Sequence, residues 1–337
     1  MNVPLSVLDL SPVGAGSSVG EALRNTLTLA KHVEGLGYQR FWLAEHHSMP
    51  GIASAAPSIM IGQVAAATER IRVGSGGIML PNHAPLVVAE QFGTLDALFP
   101  DRIDLGIGRA PGTDQVTAHA LRRSADALSA DEFPQQLAQL RAFVDDGFPA
   151  DHPYAAITAT PGLGARFAMW LLGSSTYSAQ VAGLLGLPFA FARHFSPAQT
   201  LPALETYRSS FRPSEVLDEP YAMVTVAVLA ADTDEHARYL AAPLKLTMAR
   251  LRNGNPGRFP TPEEAAANPL TPQQEQMVSA SSAGYIVGSQ DTVRTGLDDL
   301  LRLTDADEIM VSTMAHSIDD RLRSYELVAE VAPAHVH

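Results

Sequence analysis

The 337-residue chain contains no cysteine. That absence excludes disulfide bonds, thiolate zinc sites, iron–sulfur ligation and every mechanism that uses a cysteine nucleophile. It leaves open the compartment in which the protein works.

The chain also has no run of basic residues. Acidic residues outnumber basic ones by 36 to 23, so the formal charge at pH 7 is −13. A surface that follows nucleic-acid phosphates needs grouped Lys and Arg side chains, and nucleic acid is therefore not an expected partner.

Long uncharged apolar runs are missing as well. The start, Met1-Asn2-Val3-Pro4, has no basic region followed by an apolar one, and no uncharged apolar stretch long enough to span a bilayer follows it. We therefore expect no signal peptide, no membrane partner and a cytoplasmic location.

What the chain does have is the composition of a globular protein. Hydrophobic residues make up 46% of it and charged residues 18%, which is enough apolar material for a large core. At this length such a chain forms either two domains or one large barrel or sandwich.

Short apolar runs alternate with helical patterns along the whole chain. The first run is followed by a Gly/Ser loop and by a helix that Ser18 and Glu21 open with a capping-box pattern. Strands joined through helices form parallel sheets. Eight such units predict an α/β fold, a (β/α)8 TIM barrel. The runs span residues 5–10, 41–43, 71–80, 103–107, 169–172, 189–192, 221–229 and 308–311.

A barrel of this kind takes about 250 residues, so roughly 85 residues here belong to insertions. One candidate, residues 113–161 after strand 4, contains a short helix around residues 137–144. The other, residues 243–284 after strand 7, is rich in Pro, Asn and Gln. Long excursions from a barrel tend to be lids or substrate loops. We expect one domain over residues 1–337 with two such insertions.

The chemistry of a (β/α)8 barrel lies at the carboxyl ends of its strands, so the residues after each apolar run are the candidate site. These residues are polar, and their spacing does not resemble that of a metal site. The set comprises Asp9, Ser11, Glu45, His46, His47, Ser75, Gly76, Gly77, Gly108, Arg109, Ser174, Ser175, Arg193, His194, Ser312, Thr313 and His316.

Two adjacent histidines follow the second strand. Neighbouring residues that leave a strand point to opposite sides, so His46 and His47 do not chelate one ion together. A histidine at a strand end is either a hydrogen-bonded core residue or a catalytic acid–base. His194 and His316 also follow predicted strands. Their positions favour a place in the pocket for at least one of these histidines.

Glycines and hydroxyls mark two further positions. Gly76 and Gly77 lie inside a strand, where they indicate a bulge, a barrel kink or a close approach of the backbone to a flat ligand. The turn around Ser174 and Ser175 enters a helix near Ser178, which suits a phosphate if Arg109 lies opposite. Plain helix capping by Ser175 or Ser178 is the alternative.

Six stretches, in this order, resemble the bacterial luciferase-like flavin monooxygenase family over nearly the whole chain, and most closely its single-chain oxidoreductases. They are Phe41-Trp-Leu-Ala-Glu-His-His47, Val73-Gly-Ser-Gly-Gly-Ile-Met-Leu-Pro81, Asp101-Arg-Ile-Asp-Leu-Gly-Ile-Gly-Arg109, Leu172-Gly-Ser-Ser175, Met310-Val-Ser-Thr-Met314 and Arg321-Leu-Arg-Ser-Tyr-Glu-Leu327.

The resemblance implies FMN at the barrel mouth, reduced by a separate flavin reductase. It implies a flavin 4a-peroxide, formed with O2, that oxygenates a small organic substrate such as an aldehyde or ketone. A non-prolyl cis peptide bond is expected at Gly76–Gly77, beneath the flavin. Such barrels commonly form homodimers through their early helices.

The resemblance also implies roles for individual residues. His46 takes part in proton transfer, with Glu45 close by, while Gly76, Gly77, Arg109, Ser174, Ser175 and Ser178 bind the cofactor. Asp9, Ser11, His194 and His316 are expected in the substrate pocket, and no metal is expected. For a second phosphate contact, Arg122 and Arg123 remain alternatives.

The chain departs from the family at one position and leaves two other activities open. Luciferase has a reactive cysteine where this chain has Gly108, so light emission is not implied. An F420-dependent hydride-transfer enzyme with the same fold is the first alternative. A non-catalytic flavin-binding protein is the second.

Overall fold

The computed structural model describes residues 3–122, 132–145 and 147–332. Within these ranges the chain forms nine strands, all paired in parallel. They are β1 (Leu5–Asp9), β2 (Arg40–Leu43), β3 (Arg72–Met79), β4 (Ile103–Gly108), β5 (Ala168–Gly173), β6 (Phe189–Ala192), β7 (Ala222–Ala230), β8 (Ile286–Gly288) and β9 (Glu308–Ser312).

Eight of these strands close into a barrel, which confirms the predicted (β/α)8 fold. Strands β1 to β6 pair in sequence, β6 pairs with β7, and β9 lies between β7 and β1. The ninth strand, β8, adds to β7 outside the barrel. Its three residues are too few to show a strand period, and the sequence did not predict it.

Twelve helices occur in the same described ranges. They are α1 (Val19–Gly35), α2 (Pro57–Ala67), α3 (Pro85–Leu98), α4 (Gln115–Arg122), α5 (Phe133–Val144), α6 (Thr176–Leu185), α7 (Thr200–Ser210), α8 (Asp234–Arg252), α9 (Pro262–Ala267), α10 (Pro272–Ser282), α11 (Gln290–Thr304) and α12 (Ile318–Ala329). The predicted capping box is present, because Ser18 Oγ accepts from the Glu21 N–H and the Glu21 carboxylate accepts from the Ser18 N–H.

Helix α5, which lies inside the first predicted insertion, packs against α3. Its buried face includes Phe133, Leu137, Leu140 and Phe143. Burial of such a face drives helix packing, so α5 belongs to the ring of helices around the barrel. Less of this segment is therefore available as a lid than the sequence suggested.

The second predicted insertion starts inside a helix. The sequence predicts that this insertion begins at Pro243, but α8 continues through the proline to Arg252. A proline forfeits one helical hydrogen bond. Here the proline is buried on the core side of α8. Helices α9 and α10 follow, between α8 and β8.

Charged side chains close the amino-terminal end of the barrel. Arg40 pairs with Asp104 at 2.9 Å and with Glu308 at 3.1 Å, and all three are largely buried. Above them Trp42 meets Trp170 edge to face, with ring centroids 5.2 Å apart. These groups fill the lower barrel, which leaves the carboxyl ends of the strands as the end that holds a cavity.

No helix in the described part of the chain is both long enough and apolar enough to cross a membrane.

Candidate active site

A cavity of about 220 Å³ opens at the carboxyl ends of the barrel strands, and we call it the barrel-mouth cavity. Its lower wall is apolar, with Leu8, Trp42, Ala44 and Met310 on, or directly after, the neighbouring strands β1, β2 and β9. The predicted site residues that line it are His46, Gly76, Gly108, Arg109, Ser174, Ser175, Ser178 and His194.

One end of this cavity combines a cation with a helix amino terminus. Ser175 is the N-cap of α6, and its side chain makes no capping hydrogen bond, while Ser178 is buried one turn further on. The first N–H groups of a helix have no partner within the helix and favour an anion.

The guanidinium of Arg109 lies over the ring of Tyr177, with 4.3 Å between its central carbon and the ring centroid. Arg109 directly follows β4, and this cation–π contact holds it against the first turn of α6. The arrangement can bind a phosphate-sized anion. Tyr177 was not predicted, because an aromatic residue in a helix carries no sign of the partner that will stack on it.

The backbone of β3 forms another part of the wall. The peptide bond between Gly76 and Gly77 is cis, as expected. A Cβ atom on Gly76 would lie 2.6 Å from Leu8 Cδ1, and one on Gly77 would lie 2.7 Å from the Gly106 carbonyl oxygen. The pairing of β3 with β4 shifts register between Gly76 and Ile78. The bulge and the close backbone approach therefore occur together, with Gly76 presenting bare backbone to the cavity.

Gly108 lies in the wall of the cavity beside Met79. A Cβ atom at this position would lie 2.7 Å from Met79 Sδ, and Met79 also lines the cavity. The thioether thus occupies the space beside residue 108.

Two histidines face the cavity in their neutral form. Burial lowers the pKa of His194 to about 4 and also lowers the pKa of His46. His46 Nδ1 lies 3.3 Å from the Gly112 carbonyl oxygen, which can only accept a hydrogen bond. Nδ1 therefore carries the proton of this neutral ring, and Nε2 is left as an acceptor. Among the described residues, the buried Nδ1 of His194 finds no hydrogen-bond partner.

Glu45 does not line this cavity. Its buried carboxylate accepts hydrogen bonds from His47 Nε2 at 2.9 Å, from His83 Nε2 at 3.0 Å, from Asn82 Nδ2 at 2.9 Å and from the Met79 N–H at 2.9 Å. Burial opposes ionisation, but the hydrogen bonds from the two histidines prevail and lower the pKa of Glu45 to about 2. The carboxylate joins the end of β2 to the turn after β3, so its role is to position that turn.

Asp9, Ser11 and His316 also lie away from this cavity. Thr26 donates to Asp9 at 2.6 Å, and its hydroxyl lies 2.8 Å from that of Ser11. Arg321, which lies on α12, forms an ion pair with Asp9. These contacts tie the end of β1 to the outer helices. His316 Nε2 lies 3.0 Å from the Ala15 carbonyl oxygen.

The strand period explains these differences from the expected site. Leu8 and Leu10 both line the cavity, so Asp9 between them points to the other face of β1. Ala44 and His46 line it in the same way, which directs Glu45 outward. The predicted opposition of His46 and His47 follows the same rule. The side chains of Arg122 and Arg123 lie outside the described residues.

Comparison with known proteins identifies the family. A model of the luciferase-like monooxygenase family matches residues 3–307. The luciferase-like monooxygenase of Escherichia coli (strain K12) is 48% identical over 329 residues, which cover 98% of this chain and 97% of that protein.

Solved structures agree with this assignment. The structure of apo-MsnO8 superposes with a TM-score of 0.90 at 40% identity, covering 98% of both chains. The oxygenating constituent of 3,6-diketocamphane monooxygenase from Pseudomonas putida, solved in complex with FMN, has a TM-score of 0.74 at 18% identity over 100% of this chain and 99% of that one. At 18% identity, the similarity to the diketocamphane monooxygenase component shows a shared fold. The chain belongs to the luciferase-like monooxygenase family of enzymes.

Proposed function

We propose that this protein is an FMN-dependent monooxygenase that uses reduced flavin and O2 to oxygenate a small organic substrate such as an aldehyde or ketone. The observation that carries the proposal is the meeting of Arg109, Tyr177 and the start of α6 at one end of a mainly apolar cavity. That end suits the phosphate of a flavin mononucleotide.

The remaining lining fits the rest of the cofactor. Arg109, Ser174, Ser175 and Ser178 would hold the phosphate, and the backbone of Gly76 would form part of the wall beside the flavin ring. The unpartnered Nδ1 of His194 would gain a polar partner from a ligand in the cavity. FMN supplies the redox chemistry, since reduced flavin reacts with O2, and the protein supplies binding and orientation.

The side chains of this protein have two tasks in that reaction. His46 Nε2 accepts a proton within the cavity, because its other nitrogen is committed to Gly112. Leu8, Trp42 and Met310 exclude water from the lower wall. Glu45 contributes indirectly, because its hydrogen bond with the Met79 N–H fixes the turn after β3.

Turnover with chemically reduced FMN tests the proposal. We expect the protein to incorporate one atom of isotopically labelled O2 into a member of a panel of aldehydes, ketones and sulfides. NADH and FMN together should not sustain turnover unless a flavin reductase is added. FMN binding without oxygenation of any compound would favour a non-catalytic flavin-binding protein.

We also propose a homodimer formed through α2 and α3. These neighbouring helices expose Ile59 (68%), Leu98 (66%) and Val87 (44%) on their outer faces. Ile59 and Val87 lie in the first turns of α2 and α3, and Leu98 is the last residue of α3, so an interface that covers all three would run along both helices. Light scattering should give twice the chain mass for the natural protein, and the single mass for a variant that carries both Ile59→Glu and Leu98→Glu. A natural protein that is monomeric at micromolar concentration would contradict the dimer.

A further inference from the structure

A second cavity, of about 390 Å³, lies between β7, β9, α8 and α10, and we call it the α8 cavity. Its lining includes Ala227, Arg238, Lys245, Glu275, Tyr285 and Ser312.

The α8 cavity is the neighbour of the barrel-mouth cavity along two strands. Thr225 and Met310 line the barrel-mouth cavity, and they are register partners on β7 and β9. Ala227 and Ser312 line the α8 cavity, and they are also register partners. Residues two apart on a strand face the same side and lie about 7 Å apart. The two cavities therefore follow one another on the same strand faces, with the α8 cavity nearer the carboxyl ends.

Helix α8 brings two cations to this second cavity. Arg238, Ala241 and Lys245 all line it, and their spacing of three and four residues puts them on one face of the helix. The small alanine leaves space between the two long side chains. Lys245 is one of only two lysines in a chain of formal charge −13, the other being Lys31 on α1.

The contacts of Lys245 within the protein are weak. Its Nζ lies 4.0 Å from Glu275 Oε2, and both side chains are about half exposed. An ion pair of this kind contributes little stability, because water screens it. A carboxylate that enters the cavity can therefore replace Glu275 as the partner of Lys245 at small cost.

Tyr285 supplies a second donor. Its hydroxyl lies 3.5 Å from Met248 Sδ, and a thioether is a weak acceptor. Burial raises the pKa of Tyr285, so the hydroxyl keeps its proton near neutral pH. A lysine and a phenol provide single-point donors, which suit a carboxylate.

We infer that the α8 cavity binds the carboxylate of the substrate, with Lys245 as its principal contact and Tyr285 as a second donor. The apolar part of such a substrate then extends past Ala227 towards the barrel-mouth cavity. As a statement about the substrate, the inference rests on the proposed function. The substrate class is thereby narrowed to apolar molecules that carry a carboxylate at one end.

Carbon-13 methylation of the lysines gives a direct readout. Reductive methylation keeps the lysine charge, and Lys31→Gln and Lys245→Gln assign the two lysine signals. We expect octanoate to shift the Lys245 signal and to leave the Lys31 signal in place. Octanamide has the same chain without the charge and should require at least about tenfold higher concentration. Equal responses to octanoate and octanamide, or no response at Lys245, would overturn the inference.

Substitution of the protein side chains tests the contact between Lys245 and the carboxylate. Lys245→Gln should weaken octanoate binding about five- to tenfold and leave octanamide binding unchanged. Tyr285→Phe should weaken octanoate binding by a smaller factor. Lys31→Gln is the matched control, because it removes the other lysine and should change neither affinity. An unchanged preference for octanoate in Lys245→Gln would contradict the assignment.

Each titration is run on the apoprotein and again with FMN present, which separates this inference from the proposed function. If FMN does not bind but Lys245 still responds to octanoate, the proposed function fails and the carboxylate site stands. If FMN binds and Lys245 does not respond, the carboxylate site fails and the proposed function stands.

Discussion

The guanidinium carbon of Arg109 lies 4.3 Å from the centre of the Tyr177 ring, so the loop after β4 is attached to the first turn of α6. Two features that favour an anion, a guanidinium and the free N–H groups of a helix start, are thereby brought to one place. Neither feature alone identifies a phosphate site, and their convergence is what distinguishes this end of the cavity.

Removing the guanidinium should weaken FMN binding. For Arg109→Ala we expect a loss of roughly 1.5–3 kcal/mol, the range for a charge-assisted hydrogen bond. Tyr177→Leu removes only the stacking face and should cost roughly 0.5–2 kcal/mol. Fluorescence titration of the apoproteins with FMN measures both values. Unchanged affinity in Arg109→Ala would remove this residue from the phosphate site.

His46 should matter for turnover and not for cofactor affinity. Its Nε2 is the proton acceptor in the cavity, so His46→Ala should slow turnover by on the order of 10²–10⁴, as for the loss of a general acid–base. FMN affinity should stay close to that of the natural protein. His32→Gln is a suitable control, because His32 lies in the last turn of α1, away from the barrel mouth. Normal turnover in His46→Ala would exclude a proton-transfer role.

Glu45 should behave as a positioning residue, with stability as the first property to change. The carboxylate accepts from four donors, whereas the amide in Glu45→Gln presents two hydrogens of its own towards them. We expect Glu45→Gln to lower the free energy of unfolding by about 2 kcal/mol or more. Urea denaturation measures this change. A variant with full stability but greatly reduced turnover would instead indicate direct chemistry by Glu45.

Burial of His194 predicts that acid destabilises the protein. The folded-state pKa of about 4 lies below the ordinary value of 6.5, so between these two values the unfolded chain binds more protons than the folded one. Stability is therefore lost as the pH falls through this window, by about 2 kcal/mol between pH 7 and pH 5.

Urea denaturation at the two pH values tests this effect. His194→Asn should reduce the pH dependence between pH 5 and pH 7 by the part that His194 contributes, while His46, whose pKa burial also lowers, keeps its own part. His119→Asn on the exposed surface of α4 should retain it. Equal slopes in His194→Asn and the natural protein would contradict the assignment.

The fold was predictable because each barrel strand and its following helix carry a local pattern. The mouth residues were harder to place, because strand phase decides which side chains enter the cavity. The apolar runs show where β1 and β2 end, but a shift of one residue moves Asp9 or Glu45 from the inside to the outside. Arg109 and Ser175 line the cavity, and the sequence indicates this because a charged residue and a helix start follow their strands directly.

Other features depend on tertiary packing that a single sequence does not display. Helix α5 joins the outer ring because α3 offers it an apolar face, and α8 continues through Pro243, which is buried on the core side of the helix. The α8 cavity arises where α8 and α10 meet the ends of β7 and β9. No local signal marks Lys245 as part of a cavity wall.

In the proposed function the barrel-mouth cavity binds FMN through its phosphate. Calorimetric titration of the apoprotein with FMN, with riboflavin and with F420 tests this binding. We expect FMN to bind at least about tenfold more tightly than riboflavin, which lacks the phosphate, and F420 to bind weakly if at all. Tight F420 binding without FMN binding would rule out the FMN assignment and favour the hydride-transfer alternative.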